Sequence, residues 1–220
     1  MSSDGEVLSF ISKEEIRKRF DTLFDEGVFN EKCFSESGAS YDLRLGTEVF
    51  VTPKKEPRQL QEGQVLNIKP GQFAVLTTQE YLEMPENLLG FITVRFRYKS
   101  KGLVNISGFH VDPGFKGKLV FSVCNIGPAT VAMRCGEKVF SIFFAEIHPE
   151  TKYEGKFNRQ KNIPIGIIET LAGARIPSLQ VLENKVDKNS MTLRIYGTII
   201  TGLVVAFVST IIGIIQGLIG

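Results

Sequence analysis

Short apolar or alternating runs fill the middle of the chain, from Tyr41 to Ile147, and clusters of Gly, Pro, Asn and Lys separate them. Short strands without intervening helices are typical of an all-β sandwich or distorted barrel. The predicted strands are residues 42–45, 48–52, 65–68, 73–79, 89–94, 117–125, 129–133 and 138–146. The segment 53–63 carries prolines and charges of both signs, and we expect it to be a solvated connection.

A helix is predicted before the first strand. Ser12-Lys13-Glu14-Glu15 has the form of a capping box, and apolar residues from Ile16 to Phe24 follow at helical spacing. Its basic residues are predicted to form a solvated face. We therefore expect one packing helix at the N-terminal side of the β region.

The end of the chain has a different character. From Ile195 to Gly220 none of the 26 residues is charged, and the length exceeds the roughly 20 residues that a helix needs to span a bilayer. The alternative, a buried core helix, is weaker because the β region is complete without it. Lys185, Lys188 and Arg194 precede this stretch and no charge follows it. This asymmetry predicts a single-pass anchor with the N-terminal domain in the cytoplasm.

Small residues recur along the predicted membrane helix. Gly202, Ala206, Ser209, Gly213 and Gly217 follow one another at steps of four, three, four and four. Such a face lets membrane helices approach closely and associate.

The segment that leads into the anchor is predicted to be an amphipathic helix. It begins near Ile176-Pro177-Ser178, and Leu179, Leu182, Val186 and Leu193 fall close to a three-four spacing. The stripe fits a short coiled coil and equally a single helix lying on the domain.

Composition limits the chemistry. The net charge of +2 gives no reason to expect nucleic-acid binding. The three cysteines have no CxxC spacing and are expected to be reduced thiols. The two histidines, His110 and His148, belong to no HxE or HExxH pattern, so a zinc-dependent deaminase and any other protein-bound metal site are not expected.

The candidate chemistry centres on the turn Asp112-Pro113-Gly114-Phe115-Lys116-Gly117, which lies between two predicted strands. Upstream stand Arg95 and a basic cluster that includes Arg97 and Lys99. Cations suit phosphates and a carboxylate suits a sugar hydroxyl, so the set predicts a phosphorylated, hydroxyl-bearing ligand. Alternatively, the turn serves only the stability of the fold.

These segments resemble the dCTP deaminase and trimeric dUTPase superfamily, in which an Arg-Ser-Ser phosphate motif precedes a sugar-binding Asp-Pro-Gly-Phe-x-Gly turn. Ser40-Tyr41-Asp42-Leu43-Arg44-Leu45-Gly46 is similar to the opening motif of the family, and Tyr153-Glu154-Gly155-Lys156-Phe157 is similar to the deaminase lid. The resemblance covers roughly residues 8–168. It implies a distorted jelly-roll or β-barrel, a homotrimer with ligand sites at subunit interfaces, and a deoxynucleotide ligand.

The resemblance also implies roles for the residues of the turn. Asp112 matches the carboxylate that holds the 3′-hydroxyl in deaminases and activates water in dUTPases. Phe115 matches the ring packed on the deoxyribose, and Gly117 is kept. Arg95 matches the phosphate-binding arginine, and Arg97 stands beside it as a further candidate. No cofactor bound by the protein itself is implied, although Mg²⁺ can accompany a triphosphate.

Three positions depart from the pattern of the family. The glutamate that activates water in deaminases corresponds to Ser122, and a serine cannot act as that base near neutral pH. The two serines after the phosphate-binding arginine are Phe96 and Arg97, and a glutamine of the fourth motif is Ser141. Deamination by the mechanism of the family is therefore expected to be lost.

We thus predict three segments: a dCTP deaminase/dUTPase-like domain at 1–168, a linker helix at 169–194 and a membrane anchor at 195–220. The preferred hypothesis is a membrane-anchored, degenerate nucleotide-binding module, such as a sensor or effector in antiviral defence. The alternative is an active dCTP deaminase or dUTP diphosphatase in which Asp112 is the base. A third hypothesis is a purely structural trimer at a membrane.

Overall fold

Ten strands and five helices make up the part of the chain that the computed structural model describes, residues 9–25, 30–35, 38–148, 150–173 and 179–219. The strands are β1 (Tyr41–Val51), β2 (Arg58–Gln59), β3 (Val65–Ile68), β4 (Phe73–Glu83), β5 (Leu88–Val94), β6 (Leu103–Asn105), β7 (His110–Val111), β8 (Lys116–Asn125), β9 (Val131–Arg134) and β10 (Lys138–Glu146). The helices are α1 (Lys13–Lys18), α2 (Phe20–Leu23), α3 (Phe96–Lys99), α4 (Ile165–Gly173) and α5 (Leu179–Ile219), with one 3₁₀ turn at Glu31–Cys33.

Strand β1 is the centre of the sheet. The strand order is β6-β8-β4-β1-β10-β5-β7, with antiparallel pairing throughout, while β2 pairs with β1 and β3 pairs with β9 apart from the main sheet. Residues 41–44 of β1 pair with β10, and residues 45–51 pair with β4. Because one strand serves two partners in succession, the sheet curls into a half-barrel. The mainly β fold class predicted from the sequence is confirmed.

Buried and accessible positions alternate along the strands, and the buried side chains fill the half-barrel. Along β8 every second residue points inward, and Leu119, Phe121 and Val123 are buried. Phe121 stacks on Phe140 of β10 with ring centroids 3.6 Å apart. Full burial of side chains of this size contributes roughly 1.5–3 kcal/mol each, so this period-two pattern fixes which face of the strand meets the core.

The predicted N-terminal helix is present but broken into α1 and α2. The N-cap half of the predicted capping box is present, since the backbone N–H of Glu15 donates to Ser12 Oγ at 3.3 Å, whereas the carboxylate of Glu15 pairs with Arg19. The helix breaks at Arg19, whose guanidinium pairs with Glu15 at 2.6 Å and with Glu146 of β10 at 2.7 Å. The break brings the ring of Phe24 to 4.8 Å from Tyr41. Packing on the sheet therefore overrides the continuity of the helix.

The predicted strands 42–45 and 48–52 are one strand, β1. Gly46 lies between them, but it makes no turn. A Cβ atom there would lie 2.5 Å from the carbonyl oxygen of Thr78, so the glycine lets β4 approach closely. The segment 53–63, predicted as a solvated connection, contains the short edge strand β2 and is exposed except at Leu60.

A buried ion pair joins β1 to β4. Glu80 is fully buried, and it accepts hydrogen bonds from Arg44 Nε at 2.7 Å and from the backbone N–H of Arg44 at 2.8 Å. Burial raises the pKa of the Glu80 carboxyl, and the bonds from Arg44 oppose that rise. Loss of one partner would leave the other charged and without compensation inside the protein.

The chain divides into two compact units, Met1–Ile176 and Pro177–Gly220. Helix α4, which crosses the predicted boundary at residue 168, belongs to the first. Its Ile167, Ile168 and Leu171 pack on a small apolar cluster formed by Phe50, Val75 and Ile163.

The second unit is the helix α5. It contains residues 179–194 of the predicted linker and most of the predicted anchor. Residues 169–173 of that linker belong to α4, and its predicted helix start at 176–178 lies outside the described residues. Its segment Leu182–Gln216 is, by length and composition, long and apolar enough to cross a membrane. At 1.5 Å per residue the helix is about 60 Å long, about twice the thickness of a bilayer core.

Hydroxyl groups along α5 are satisfied within the helix. Those of Thr198, Thr201, Ser209 and Thr210 each donate to the carbonyl four residues earlier, at 2.8 to 3.0 Å. Such internal bonds are the arrangement that a polar side chain needs where no water is available.

The ion pair between β1 and β4 yields a stability prediction. Arg44→Met or Glu80→Gln should lower the free energy of unfolding by about 3–5 kcal/mol, because each leaves a buried group without its partner. Urea unfolding of the full chain in detergent, followed by the near-ultraviolet circular dichroism of its tyrosines, measures this loss.

The matched control is Lys116→Met, which removes an exposed pair with Glu83 and should cost less than about 1 kcal/mol. The double variant Arg44→Met/Glu80→Leu should recover part of the loss. A loss below that of the control in either single variant would contradict the assignment.

Candidate nucleotide site

A cleft of about 250 Å³ opens beside the turn 112–117, and we call it the Asp112 cleft. The turn itself, strand β8 and the segment that follows residue 150 form its walls. Its lining residues are Ser107, His110, Val111, Asp112, Phe115, Lys118, Leu119, Val120, Ser122, Tyr153, Phe157, Gln160, Pro164 and Ile167.

Backbone hydrogen bonds, one within the turn and one to Pro85, hold the turn in place. The N–H of Phe115 donates to Asp112 O at 3.2 Å, and the N–H of Gly114 donates to Pro85 O at 3.2 Å. Gly114 has a φ of +74°, which side chains other than hydrogen rarely allow. Phe115 is buried and meets the ring of Tyr153 edge-on at 5.6 Å. The carboxylate and the aromatic ring of the turn thus have fixed positions at the cleft.

Ser122, the position at which the resemblance implies the deaminase glutamate, faces the same cleft as Asp112. Its backbone N–H donates to Ser107 Oγ at 3.3 Å, and its carbonyl accepts from Ile106 N at 2.8 Å. Among the described residues that line this cleft, Asp112 is the sole carboxylate. The cleft therefore offers one carboxylate, at the turn, and a hydroxyl at the position of the expected base.

His110 is a cleft residue that sequence reasoning missed. Its Nε2 lies 3.4 Å from Asp112 Oδ1. Residues two apart in an extended segment share a face, and His110 stands two residues before Asp112, so their spacing alone could have indicated the pair. The histidines were considered only as members of metal motifs.

Residues 151–164, which we call the C-terminal strap, close one side of the cleft. The strap is attached at Lys118, whose N–H donates to Gln160 O at 2.7 Å, and at Lys116, whose carbonyl accepts from Arg159 N at 2.6 Å. Farther along, the N–H of Ile163 donates to Glu48 Oε2 at 2.7 Å. Tyr153, expected in the lid, lines the cleft as the resemblance implies, and so does Ile167 of α4, which the sequence did not predict.

A second cavity, of about 890 Å³, surrounds Arg95, and we call it the Arg95 pocket. Its cations are Lys32, Arg95, Arg97, Lys99 and Lys138. Arg97 Nη1 lies 2.8 Å from Glu137 Oε1, so in this chain it pairs with Glu137 and makes no contact with Asp112. Its guanidinium carbon is 5.8 Å from the ring centre of Tyr98. Burial raises the pKa of the Tyr98 hydroxyl, and the charge of Glu137 raises it further.

Asp42 is a buried carboxylate that lines the Arg95 pocket and contacts two of its cations. Its side chain is 6% exposed, and Oδ2 lies 3.3 Å from Arg95 Nη1 and 4.0 Å from Lys138 Nζ. Ser141, one of the three departures from the family pattern, donates its hydroxyl to Asp42 Oδ1 at 2.7 Å. The carboxylate therefore orients Arg95. The other cations give the pocket an excess of positive charge.

The Asp112 cleft and the Arg95 pocket lie at opposite ends of β5. Strand β7 pairs with β5 through Gly90 and Val111, which puts Asp112 opposite position 89, whereas Arg95 directly follows β5. Six residues of strand separate the two positions by about 20 Å. A single chain thus does not bring Arg95 and Arg97 to the same cavity as Asp112 and Phe115, and Gly117 lines neither cavity.

A family model described as dCTP deaminase-like matches residues 10–147. The chain belongs to the dCTP deaminase-like family. Within the described residues of this family member, no group of three or more His, Cys, Asp or Glu side chains is placed to hold a metal ion.

Two archaeal relatives show the extent of the similarity. A dCTP deaminase of Pyrobaculum aerophilum is 34% identical over 152 residues, which are 67% of this chain and 86% of that protein. A dUMP-forming dCTP deaminase of Methanobrevibacter smithii is 31% identical over 124 residues, 48% of this chain and 64% of the relative.

A solved structure shares the fold. The dCTP deaminase of Agrobacterium tumefaciens superposes with a TM-score of 0.55 at 16% identity, over 64% of this chain and 50% of that one. At this identity the similarity concerns the fold alone.

The contact between the turn and the strap can be tested at Gly117. Gly117 has a φ of +148°, and a Cβ atom there would lie 2.9 Å from Gln160 O. Gly117→Ala should therefore release the strap, and the amide hydrogens of Lys118 and Arg159 should exchange about ten- to a hundredfold faster, as expected for about 1–3 kcal/mol of strain.

Hydrogen exchange measured by mass spectrometry on the full chain reads this out. Gly108→Ala is the control, because Gly108 has open space around its Cα. Equal exchange in the two variants would show that the strap does not depend on close approach at Gly117.

Proposed function

We propose that this chain is a membrane-anchored, catalytically degenerate nucleotide-binding protein of the dCTP deaminase-like family. The observation that carries the proposal is the position of Ser122 in the Asp112 cleft. A hydroxyl stands where a general base is needed, and near neutral pH it cannot take a proton from water. The cleft keeps the means to bind a nucleotide while lacking the group that would deaminate it.

The ligand in this proposal is a deoxynucleotide. Asp112 accepts a hydrogen bond from the 3′-hydroxyl, Phe115 packs on the deoxyribose, and Gly117 lets the strap lie close to the turn. The limited cleft volume suits a sugar and a pyrimidine base more than a whole triphosphate. Phosphates need cations, and Lys118 is the sole cation among the described residues that line this cleft.

A second copy of the chain supplies those cations. Because Arg95 and Arg97 lie at the far end of β5 from Asp112, their pocket can complete the site of a neighbouring copy. Each site then takes the sugar turn from one subunit and the phosphate side from another, which fits a homotrimer. Mg²⁺ arrives with the ligand, bound to the triphosphate.

In this proposal, the C-terminal helix α5 anchors the protein in a membrane. The charge-free part of α5 is long enough to span a bilayer core. Lys185, Lys188 and Arg194 on its N-terminal side favour a cytoplasmic position for the β domain.

Small residues give the anchor a face for association. Gly202, Ala206, Ser209, Gly213 and Gly217 recur along it, and the described members of this set are exposed. Such a face lets the anchors of one oligomer pack together. Binding at the subunit interfaces would then change the packing of the anchors, as a sensor or an effector in antiviral defence requires.

The first test uses the full chain in liposomes loaded with a dye. Incubation with dCTP, or with dUTP and Mg²⁺, should give no change in either nucleotide by chromatography, since Ser122 provides no base. Dye release should depend on which nucleotide is added.

Formation of dUTP or dUMP would overturn the degenerate assignment and favour the alternative, an active enzyme that uses Asp112. Asp112→Asn would then abolish turnover. Dye release that is the same with every nucleotide, in protein that binds none of them, would instead favour a structural trimer.

The second test asks whether two copies build one site. Arg95→Ala and Asp112→Asn should each reduce nucleotide binding by tenfold or more, because a charge-assisted contact is lost. Mixing the two variants before assembly should restore about a quarter of the sites, since a cyclic oligomer places an intact Arg95 beside an intact Asp112 at one interface in four.

Equilibrium binding of labelled dUTP with Mg²⁺ measures the restored fraction. A mixture of Arg95→Ala with Arg95→Lys serves as the control that should restore nothing beyond its separate components. Equal binding by the complementing mixture and the control would place both half-sites in a single copy.

A further inference from the structure

A third cavity lies away from both half-sites, between the segment 52–58 and strand β3. We call it the Lys54 cleft. Its volume is about 660 Å³, and none of its lining residues belongs to the Asp112 cleft or to the Arg95 pocket. Nothing in the proposed nucleotide site makes use of it.

Unpaired cations surround the Lys54 cleft. Lys54, Lys55, Arg58 and Lys69 all line it and are all exposed. Within the described part of the chain, no carboxylate lies within 4.0 Å of any of their charged nitrogens. Glu56 is the one acidic residue of the lining. The cleft thus carries an excess of three positive charges in a chain whose net charge is +2.

Several cations elsewhere in the β domain are paired, since Arg19, Arg44, Arg95, Arg97 and Lys116 each lie within 4.0 Å of a carboxylate. Four like charges around one concavity repel one another, and an anion bound among them removes that repulsion.

The walls of the Lys54 cleft are joined by hydrogen bonds. Gln72 donates from Nε2 to Thr52 O at 2.6 Å, and Lys69 N donates to Gln72 Oε1 at 2.7 Å. The glutamine therefore bridges the two sides and keeps the concavity open without a ligand. Apolar side chains of Val49, Val51 and Leu66 contribute to the lining.

We propose that the Lys54 cleft binds the phosphate group of a phosphate ester, with its cations on the phosphate and its apolar wall against the organic part. Phosphate oxygens accept charge-assisted hydrogen bonds from lysine and arginine. The volume falls in the range of small-molecule sites. The same chemistry occurs in a free sugar phosphate and in the headgroup of an anionic phospholipid, which an anchored domain meets at high effective concentration.

The experiment uses the full chain in lipid nanodiscs and follows hydrogen exchange of residues 52–58 and 65–69. One arm adds glycerol 3-phosphate to nanodiscs of phosphatidylcholine. The other arm replaces part of the phosphatidylcholine by phosphatidylglycerol. Protection in the first arm identifies a free phosphate ester as a ligand, and protection in the second identifies the headgroup.

Lys54→Glu/Arg58→Glu tests the cations. The concentration of glycerol 3-phosphate, or the fraction of phosphatidylglycerol, needed for half-maximal protection should rise at least about tenfold. The effect should weaken with added salt, because the cations are exposed. Lys18→Glu/Lys101→Glu is the control with the same change in charge at exposed positions outside the cleft, and its protection should match that of the unchanged chain.

Absence of protection in both arms would overturn the proposal. So would equal weakening in the two double variants, which would show a response to overall charge alone. Unchanged exchange in β8 verifies that the variants remain folded. The outcome is independent of nucleotide binding, since the readout and the substitutions lie outside both half-sites.

Discussion

The buried contact between Arg44 and Glu80 is the constraint on which the half-barrel depends. It lies where β1 leaves β10 and begins to pair with β4. The same point requires close approach of Gly46 to Thr78, whose hydroxyl bonds to Glu80 O at 2.8 Å and accepts from Leu119 N at 3.0 Å. The charged pair thus ties β1 to β4, and the hydroxyl of Thr78 ties β4 to β8. Strand β8 in turn carries Ser122 and the end of the turn at the Asp112 cleft.

The second constraint is the distance that strand β5 sets between Asp112 and Arg95. The strand pairs with β7 at one end and leads directly into Arg95 at the other. Asp42, two residues before Arg44 on β1, fixes Arg95 at 3.3 Å. Two residues of one stretch of β1 therefore have different partners, since Asp42 pairs with Arg95 and Arg44 pairs with Glu80 of β4. The separation of the Asp112 cleft from the Arg95 pocket is a property of the sheet, and the proposed oligomer would join what one copy holds apart.

Much of this could be predicted from the sequence. Strands β3 and β10 have the predicted bounds because turn residues limit both runs, and the turn at Asp112 was recognisable from its proline and glycines. Strands β6 and β7 are too short for a period to appear, so they were missed. The packing of α4 and Ile167 beside the cleft could not be predicted either, because periodicity indicates an apolar face but not which distant surface covers it. Gly46 was misjudged for the same reason, since its neighbour Thr78 is distant in sequence.

The proposed loss of catalysis and the proposed anchor fit one physical argument. Where the resemblance implies a glutamate, Ser122 carries no charge that would have to be desolvated, and Ser141 bonds to Asp42 within the sheet. Neither change disturbs the backbone that holds Asp112 and Phe115. Binding can therefore outlast catalysis, because it needs the turn and the cations, whereas deamination also needs one base at one position. In the proposed function, α5 at about 60 Å is longer than the bilayer core is thick, so its charged first turns stay in water. A bound nucleotide would then act on the anchor by changing how copies associate, without any change to the covalent structure of the ligand.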